Sequence, residues 1–252
     1  MLISVVIPMY NEEKNVRKAI TELTDTLRGY GEEFELIFSD DGSTDGCAGT
    51  VSEYTQSHPE IRLLCHPVNR GKGAAVRDGM LASHGEYTVF TDCDLAYGTE
   101  SVVDILRALR TGENDIVIGS RTLHPAGYGG YTAMRRFISK NYLNLIKAAS
   151  GFSRSDSQCG LKGFTAAAAK KIFSLCEIDG FAFDLEVLML AERLGYKVGE
   201  IPVSVLTHAE HTSKVRLLPD AICMLTDISR IKKRLRLLDS PYSEPPSDTK
   251  DT

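Results

Sequence analysis

The chain has 252 residues, 42% hydrophobic and 25% charged, an ordinary soluble composition with room for one large α/β domain or one domain with an appendage. A net charge of −5 gives no basis for general nucleic-acid binding. The six cysteines form no C-x-x-C pair and no zinc spacing, so they read as buried thiols of a reducing compartment.

Leu2 to Ile7 is a short apolar run, too short for a secretory h-region, and reads as a first strand covered on both faces. Pro8 ends it, and Asn11 caps a helix in which Val16, Ile20, Leu23 and Leu27 recur at helical spacing. Gly29 and Gly31 close that helix. Phe34 to Phe38 is a second strand, followed by the polar loop Ser39 to Gly46, a helix running towards His58-Pro59, and a third strand from Ile61 to Cys65. Gly71-Lys72-Gly73 leads into a helix through Ala75, Val76, Gly79 and Met80. Tyr87 to Thr91 is a β-branched and aromatic fourth strand. Val102, Ile105, Leu106 and Leu109 mark the next helix, and Asp115 to Ile118 a fifth strand ending at Gly119-Ser120-Arg121. Strands alternating with helices over short loops predict a mostly parallel sheet with helices on both faces.

Beyond Arg121 the rhythm changes. His124 to Gly130 has the composition of a mobile flap, and a long helix is expected over Thr132 to Ala149. A short strand over Gln158 to Phe164, helices over Ala166 to Leu175 and Phe183 to Leu194, and a late strand over Tyr196 to Val205 follow. Pro219 opens a terminal helix that becomes basic at Arg230, Lys232, Lys233, Arg234 and Arg236. The expected organisation is a catalytic domain over 1–215, an amphipathic basic helix over 216–239 and a polar, Pro-rich, disordered tail over 240–252. No apolar run approaches the roughly 20 residues needed to cross a bilayer, so a cytosolic protein, peripheral to a membrane at most, is expected.

The chemistry gathers where strands end. Asp92 and Asp94, one residue apart after the fourth strand, share a side if strand alternation continues, and would point into the crevice where open α/β sheets bind ligands. Two close carboxylates repel unless a cation lies between them, and a hard divalent ion that also takes phosphate oxygens fits. Asp40-Asp41, after the second strand, can accept hydrogen bonds from a ribose hydroxyl or a base N–H. Arg121 follows the fifth strand. Together these suggest a nucleotide diphosphate with its metal. Neither G-x-G-x-x-G after the first strand nor G-x-x-x-x-G-K-[ST] is present, which disfavours a dinucleotide oxidoreductase and a P-loop NTPase. The pair His208-x-x-His211 lacks the i, i+4 spacing of a helical metal site.

Several runs resemble the family 2 nucleotide-sugar glycosyltransferases: Ser4 to Glu13, Asp40 to Gly46, Asn69 to Gly73, the D-x-D, and Asp156 to Gly160. More narrowly, Gly71 to Arg77, Gly119 to Arg121, Gln158 to Lys162, Phe183 to Glu186 and Ser213-Lys214 resemble the branch that makes polyprenyl (dolichyl) phosphate sugars.

The resemblance implies a nucleotide-sugar transferase A-type fold. It implies that Pro8, Tyr10, Glu12 and Asp41, with Asp40 supporting, hold the base and ribose, with Lys72 and Arg77 beside the nucleotide. Asp92 and Asp94 would hold Mg²⁺ or Mn²⁺ on the diphosphate. Arg121 and Arg135, with Arg136, Ser139 and Lys214, would face the acceptor phosphate, and Gln158, Asp184 and Glu186 would line the sugar pocket. The activity implied is inverting transfer of a hexose to polyprenyl phosphate at the cytosolic face of a membrane. Many mannosyl members carry Gln two residues beyond the D-x-D, and here that position is Ala96, which leans towards a glucosyl-type enzyme and a UDP donor over GDP-mannose. Membrane contact would fall to the terminal helix or to a separate anchor subunit. A saccharide-hydroxyl acceptor is the alternative, requiring Asp184 or Glu186 as base, and a silent nucleotide-sugar-binding scaffold is the reading from another class.

Overall fold

Ile3, Val5, Ile7 and Met9 pack to one side of the first strand and Val6 to the other, all buried. A strand apolar on both faces belongs in the interior of a parallel sheet. In the computed structural model, which describes residues 1–129, 144, 148, 151, 154–206 and 217–237, the strands are β1 (Leu2–Met9), β2 (Glu33–Asp40), β3 (Ile61–Cys65), β4 (Tyr87–Thr91), β5 (Ile116–Ser120), β6 (Leu161–Thr165) and β7 (Val198–Pro202). The helices are α1 (Glu13–Tyr30), α2 (Cys47–Thr55), α3 (Lys72–Ala82), α4 (Glu100–Arg110), α5 (Ala166–Phe173), α6 (Phe183–Arg193) and α7 (Leu217–Leu237). The strands form one seven-stranded sheet in the order β3-β2-β1-β4-β6-β5-β7. Only β6 runs against the others, pairing antiparallel with β4 and β5.

Helices α1, α2 and α4 cover one face and α3, α5, α6 and α7 the other. On the second face Phe90, Phe164, Phe173 and Phe183 form a ring cluster, with Phe164 5.4 Å from Phe173 and 6.2 Å from Phe90. At the amino edge Glu35 accepts from Ser4 Oγ (2.6 Å), the His84 N–H (2.6 Å) and Arg62 (2.6 Å), closing the end remote from the strand termini that follow.

Chain order reverses about β1, with β2 on one side and β4 on the other. The crevice beyond such a switch point is where open α/β sheets take ligands.

Some expectations shift. Asn11 does not cap α1: it adopts a left-handed φ of 54°, which asparagine tolerates, and its Oδ1 accepts the Thr44 N–H at 2.8 Å. The Glu13 N–H is taken instead by Asp45 Oδ2 at 2.9 Å, so the cap comes from the following loop. The strand expected from Gln158 begins at Leu161, because the Gln158 N–H turns back to Asp156 Oδ1. The late strand is shorter than expected and ends at Pro202, opposite Ser120, where its partner β5 also ends. Helix α7 starts at Leu217 and accommodates Pro219 in its first turn, where N–H groups have no intrahelical partner. The expected helix over Thr132 to Ala149 falls almost wholly outside the described residues.

Candidate active site

A cleft of about 390 Å³ opens at the carboxyl ends of β1, β2 and β4. Pro8, Met9, Tyr10 and Glu12 supply one side, Asp41, Asn69, Gly71, Lys72 and Ala75 another, Asp92, Cys93 and Asp94 a third, and Gly180 with Phe181 the fourth. Seven residues singled out in the sequence therefore share one cavity: Pro8, Tyr10, Glu12, Asp41, Lys72, Asp92 and Asp94.

The two aspartates do not meet through strand alternation, since β4 ends at Thr91. A turn brings them together. The Leu95 N–H donates to the Asp92 carbonyl at 3.0 Å, Leu95 takes a left-handed φ of 50°, and the Ala96 N–H donates to Asp94 Oδ1 at 3.0 Å. A β-branched-free leucine held there is unusual and is fixed by its surroundings, Leu95 itself being buried. Lys72 Nζ reaches Asp92 Oδ1 at 2.5 Å. Burial works against the Lys72 charge, but Asp92, Asp184 and Asp94 outweigh it and hold its pKa above the usual lysine value. Gly160 lies directly against Asp92, so that a Cβ there would come 2.7 Å from Asp92 Cγ.

Asp92 and Asp94 are hard oxygen donors beside an ammonium that already occupies part of the negative field, a donor set suited to Mg²⁺ or Mn²⁺. Among the described residues no cluster of three or more His, Cys, Asp or Glu side chains forms a closed metal cage. Two carboxylates leave coordination positions for phosphate oxygens and water, which is how Mg²⁺ is commonly held.

The Asp40-Asp41 pair is bound inward. Asp41 Oδ1 accepts the Arg70 N–H (2.9 Å) and faces His66 Nδ1 (2.9 Å), and its Oδ2 accepts the Gly71 N–H (2.7 Å). Asp40 accepts from the N–H and hydroxyl of Ser43, closing its own loop. Both shape the cleft, and Asp41 also borders it.

Arg77 does not border the cleft. It donates to Asp179 Oδ1 at 2.7 Å, beneath the loop that carries Gly180. Glu186 is 1% exposed, its oxygens bonded to the backbone N–H groups of Glu177 and Ile178 and to Arg234. Asp184 is buried against Lys162, itself fully buried and 5.4 Å over the Phe90 ring. Burial raises the Asp184 pKa, with the nearby lysines opposing. Lys162 stood in the matched run from Gln158 but carried no assigned role there, because a lysine in a strand ordinarily faces water.

A second cavity of about 300 Å³ is lined by Arg121, Thr122, His124, Pro125, Ala126, Tyr128 and Gly129. Arg121 forms a fork with buried Asp156, Nε to Oδ2 at 2.7 Å and Nη2 to Oδ1 at 2.8 Å, with the Tyr128 ring 5.7 Å away. The amide nitrogen of Gln158 is buried with no hydrogen-bond partner among the described residues. Arg135, Arg136, Ser139, Lys214, His208 and His211 lie outside the described residues. Asn69 and Phe181 border the cleft without having been singled out. Asn69 stood in a matched motif and could have been read from it, whereas Phe181 arrives from a distant loop with no local signal.

The family model for glycosyl transferase family 2 matches residues 4–173. Dolichyl-phosphate beta-glucosyltransferase ALG5A of Trichomonas vaginalis is 35% identical over 210 residues, 80% of this chain and 64% of that protein. The dolichyl-phosphate beta-glucosyltransferase of Saccharomyces cerevisiae is 32% identical over 92% of this chain and 74% of its own. The chain thus spans slightly less than two thirds of the Trichomonas relative's length. Among solved structures, glucosyl-3-phosphoglycerate synthase of Mycobacterium tuberculosis, in complex with Mn²⁺, UDP and phosphoglyceric acid, superposes with a TM-score of 0.64 at 21% identity, over 92% of this chain and 78% of that one. Mannosyl-3-phosphoglycerate synthase of Rubrobacter xylanophilus gives 0.68 at 17% identity, over 98% and 78%. These neighbours share the nucleotide-sugar transferase A-type fold. With the D-x-D cleft at the switch point and the match over residues 4–173, the chain belongs to glycosyl transferase family 2.

Proposed function

We propose that this protein is a metal-dependent, inverting hexosyltransferase that moves glucose from UDP-glucose to polyprenyl or dolichyl phosphate. The observation that carries the reading is the single cleft in which Asp92, Asp94 and Lys72 face Pro8, Tyr10 and Asp41. The relatives at 32–35% identity are named for glucosyl transfer to dolichyl phosphate, and a structural neighbour is described with UDP and Mn²⁺, which supports the donor and the metal.

In this mechanism Pro8, Tyr10, Glu12 and Asp41 seat the base and ribose, and Lys72 lies beside the diphosphate. Asp92 and Asp94 would hold Mg²⁺ or Mn²⁺, and the ion would supply Lewis-acid neutralisation of the charge on the departing diphosphate. A phosphate oxygen of the acceptor attacks the anomeric carbon in line. The bond from that carbon to the diphosphate oxygen breaks, and its electron pair leaves with the nucleotide. An α-linked donor therefore yields a β-linked product.

The acceptor side favours an oxyanion over a hydroxyl. A hydroxyl needs a carboxylate base, yet Glu186 has both oxygens engaged and Asp184 is tied to Lys162. Arg121, oriented by Asp156 on the wall of the second cavity, is suited to an acceptor phosphate, with Arg135, Arg136, Ser139 and Lys214 as further candidates, and the unpaired Gln158 amide is suited to a sugar hydroxyl. No helix among the described residues is long and apolar enough to cross a membrane. Leu123 and Phe181 are about half exposed at the carboxyl edge of the sheet, and Arg230, Lys233, Arg236 and Leu237 are exposed on α7. Such apolar and basic residues support peripheral contact with an anionic cytosolic membrane face, alone or beside an anchor subunit.

The test is transfer by purified protein with Mn²⁺ or Mg²⁺ and a short polyprenyl phosphate, comparing UDP-glucose, UDP-N-acetylglucosamine and GDP-mannose, with Asp94→Asn as control. A lipid-linked hexose from UDP-glucose, lost in the variant, is expected. Donor binding without lipid product would move the reading to a saccharide acceptor, and absence of donor binding to a silent scaffold.

A further inference from the structure

The glycines flanking Lys72 lie against the backbone of a loop from far along the chain. A Cβ on Gly71 would come 3.0 Å from the Asp179 carbonyl carbon, and one on Gly73 would come 2.9 Å from the Asp179 oxygen and 2.7 Å from Phe183 Cβ. The Asp179 carbonyl accepts the N–H of Gly73 at 2.7 Å and of Ala74 at 3.3 Å, so it fills the first turn of α3. These glycines thus serve close approach of two backbones. Arg77, farther along α3, holds the Asp179 carboxylate at 2.7 Å.

The same loop is gripped from behind. Glu186 accepts the N–H of Glu177 at 3.0 Å and of Ile178 at 2.9 Å, and Arg234 donates to it at 2.5 Å while lying 3.3 Å from the Glu177 carboxylate. Arg234 comes from the terminal helix. A buried carboxylate needs such partners to stay charged, and here two backbone N–H groups and a guanidinium supply them. The residues that follow, Gly180 and half-exposed Phe181, form one wall of the donor cleft.

We propose that Glu186, Arg77 and Arg234 are positioning residues that hold the segment from Glu177 to Phe181 as that wall and, through Gly71 and Gly73, set Lys72 against Asp92. This rests on the donor-site reading of the cleft. Glu186 acts from behind the wall and touches no sugar. The terminal helix, basic on its outside, acts on the cleft through Arg234, so its removal would loosen donor binding even where no membrane is present.

The test uses the full chain carrying Arg234→Gln or Arg234→Lys. Amide exchange of a peptide spanning 176–182, UDP affinity by calorimetry with Mn²⁺, and thermal stability are read together. Arg234→Gln should speed exchange at the Glu177 and Ile178 amides about tenfold or more and weaken UDP roughly five- to tenfold. The lysine variant should recover most of both, and in transfer assays KM for the donor should change more than kcat. Unchanged local exchange and unchanged UDP affinity would overturn the proposal. So would faster exchange spread evenly over the sheet with a fallen Tm, which marks general support. Failure of the wild-type protein to bind UDP refutes the donor-site reading instead, and local exchange then still decides whether the clamp exists.

Discussion

Gly160→Ala isolates the geometry of the D-x-D without altering any charged residue. The new Cβ would overlap Asp92 Oδ2 and lie 2.7 Å from Asp92 Cγ, where ordinary contact begins near 3.4 Å, so the carboxylate must retreat by about 1 Å or more. It can do so by rotating, because the obstructed atoms are the end of a side chain, and position 160 has no positive φ that would strain alanine. Stability should therefore change by less than about 1 kcal/mol, since reduced unfolded-chain entropy offsets part of the contact cost. Activity should not escape. A misplacement near 1 Å costs about 10²-fold in a positioned site, so kcat/KM should fall roughly 30- to 100-fold. The Asp92–Lys72 contact moves with it, and the concentration of Mn²⁺ giving half activity should rise. Transfer kinetics over a metal titration, beside a urea unfolding curve, would measure all three. Wild-type kcat/KM and metal dependence in a folded Gly160→Ala protein would refute the placement of Asp92 at the reacting diphosphate.

Asp156→Ala removes the carboxylate that both arms of the Arg121 fork engage and should cost about 3–5 kcal/mol in denaturant unfolding, with Asp156→Asn costing less. Burial raises the Asp156 carboxyl, but the Arg121 guanidinium outweighs it and holds the pKa below the usual aspartate value. The unfolded chain then binds the proton more readily, so this stabilisation is complete above the ordinary aspartate pKa of about 3.9 and drains away as pH falls through it towards the lower folded value. An acid-unfolding midpoint that shifts in wild type but not in Asp156→Asn checks the sign. Phe164→Ala, in the ring cluster behind the sheet, should lose about 3–5 kcal/mol with an unchanged m-value, and surviving folded molecules should keep their donor affinity. Chelation with EDTA should abolish transfer, and Mn²⁺ or Mg²⁺ should restore it in wild type but poorly in Asp94→Asn; full activity in chelator would remove the metal from the mechanism.

The order of strands and helices, the mostly parallel sheet and the polar strand ends were all legible in the sequence, because hydrophobic period and turn residues are local properties. So was the meeting of Asp41, Asp92 and Asp94, because in parallel strands every following loop opens on the same edge; Pro8, Tyr10 and Lys72 were placed there only by the family resemblance, and Arg121, expected on the same edge, lines the second cavity instead. The roles of Glu186 and Arg77 were not legible. Acidic and basic residues in a matched motif look alike whether they face a ligand or a neighbouring backbone, and here both hold the segment around Asp179. The reversal of β6 and the fully buried Lys162 depend on which strands become neighbours, and pairing across long loops leaves no local mark. Gly71, Gly73 and Gly160 show the division most plainly. The sequence by itself determined that these positions carry no side chain. Only the tertiary structure decided what fills the space, the Asp179 carbonyl for Gly71, the Ile178 carbonyl with Phe183 for Gly73 and the Asp92 carboxylate for Gly160, because close packing is a relation between segments that meet only once the sheet has formed.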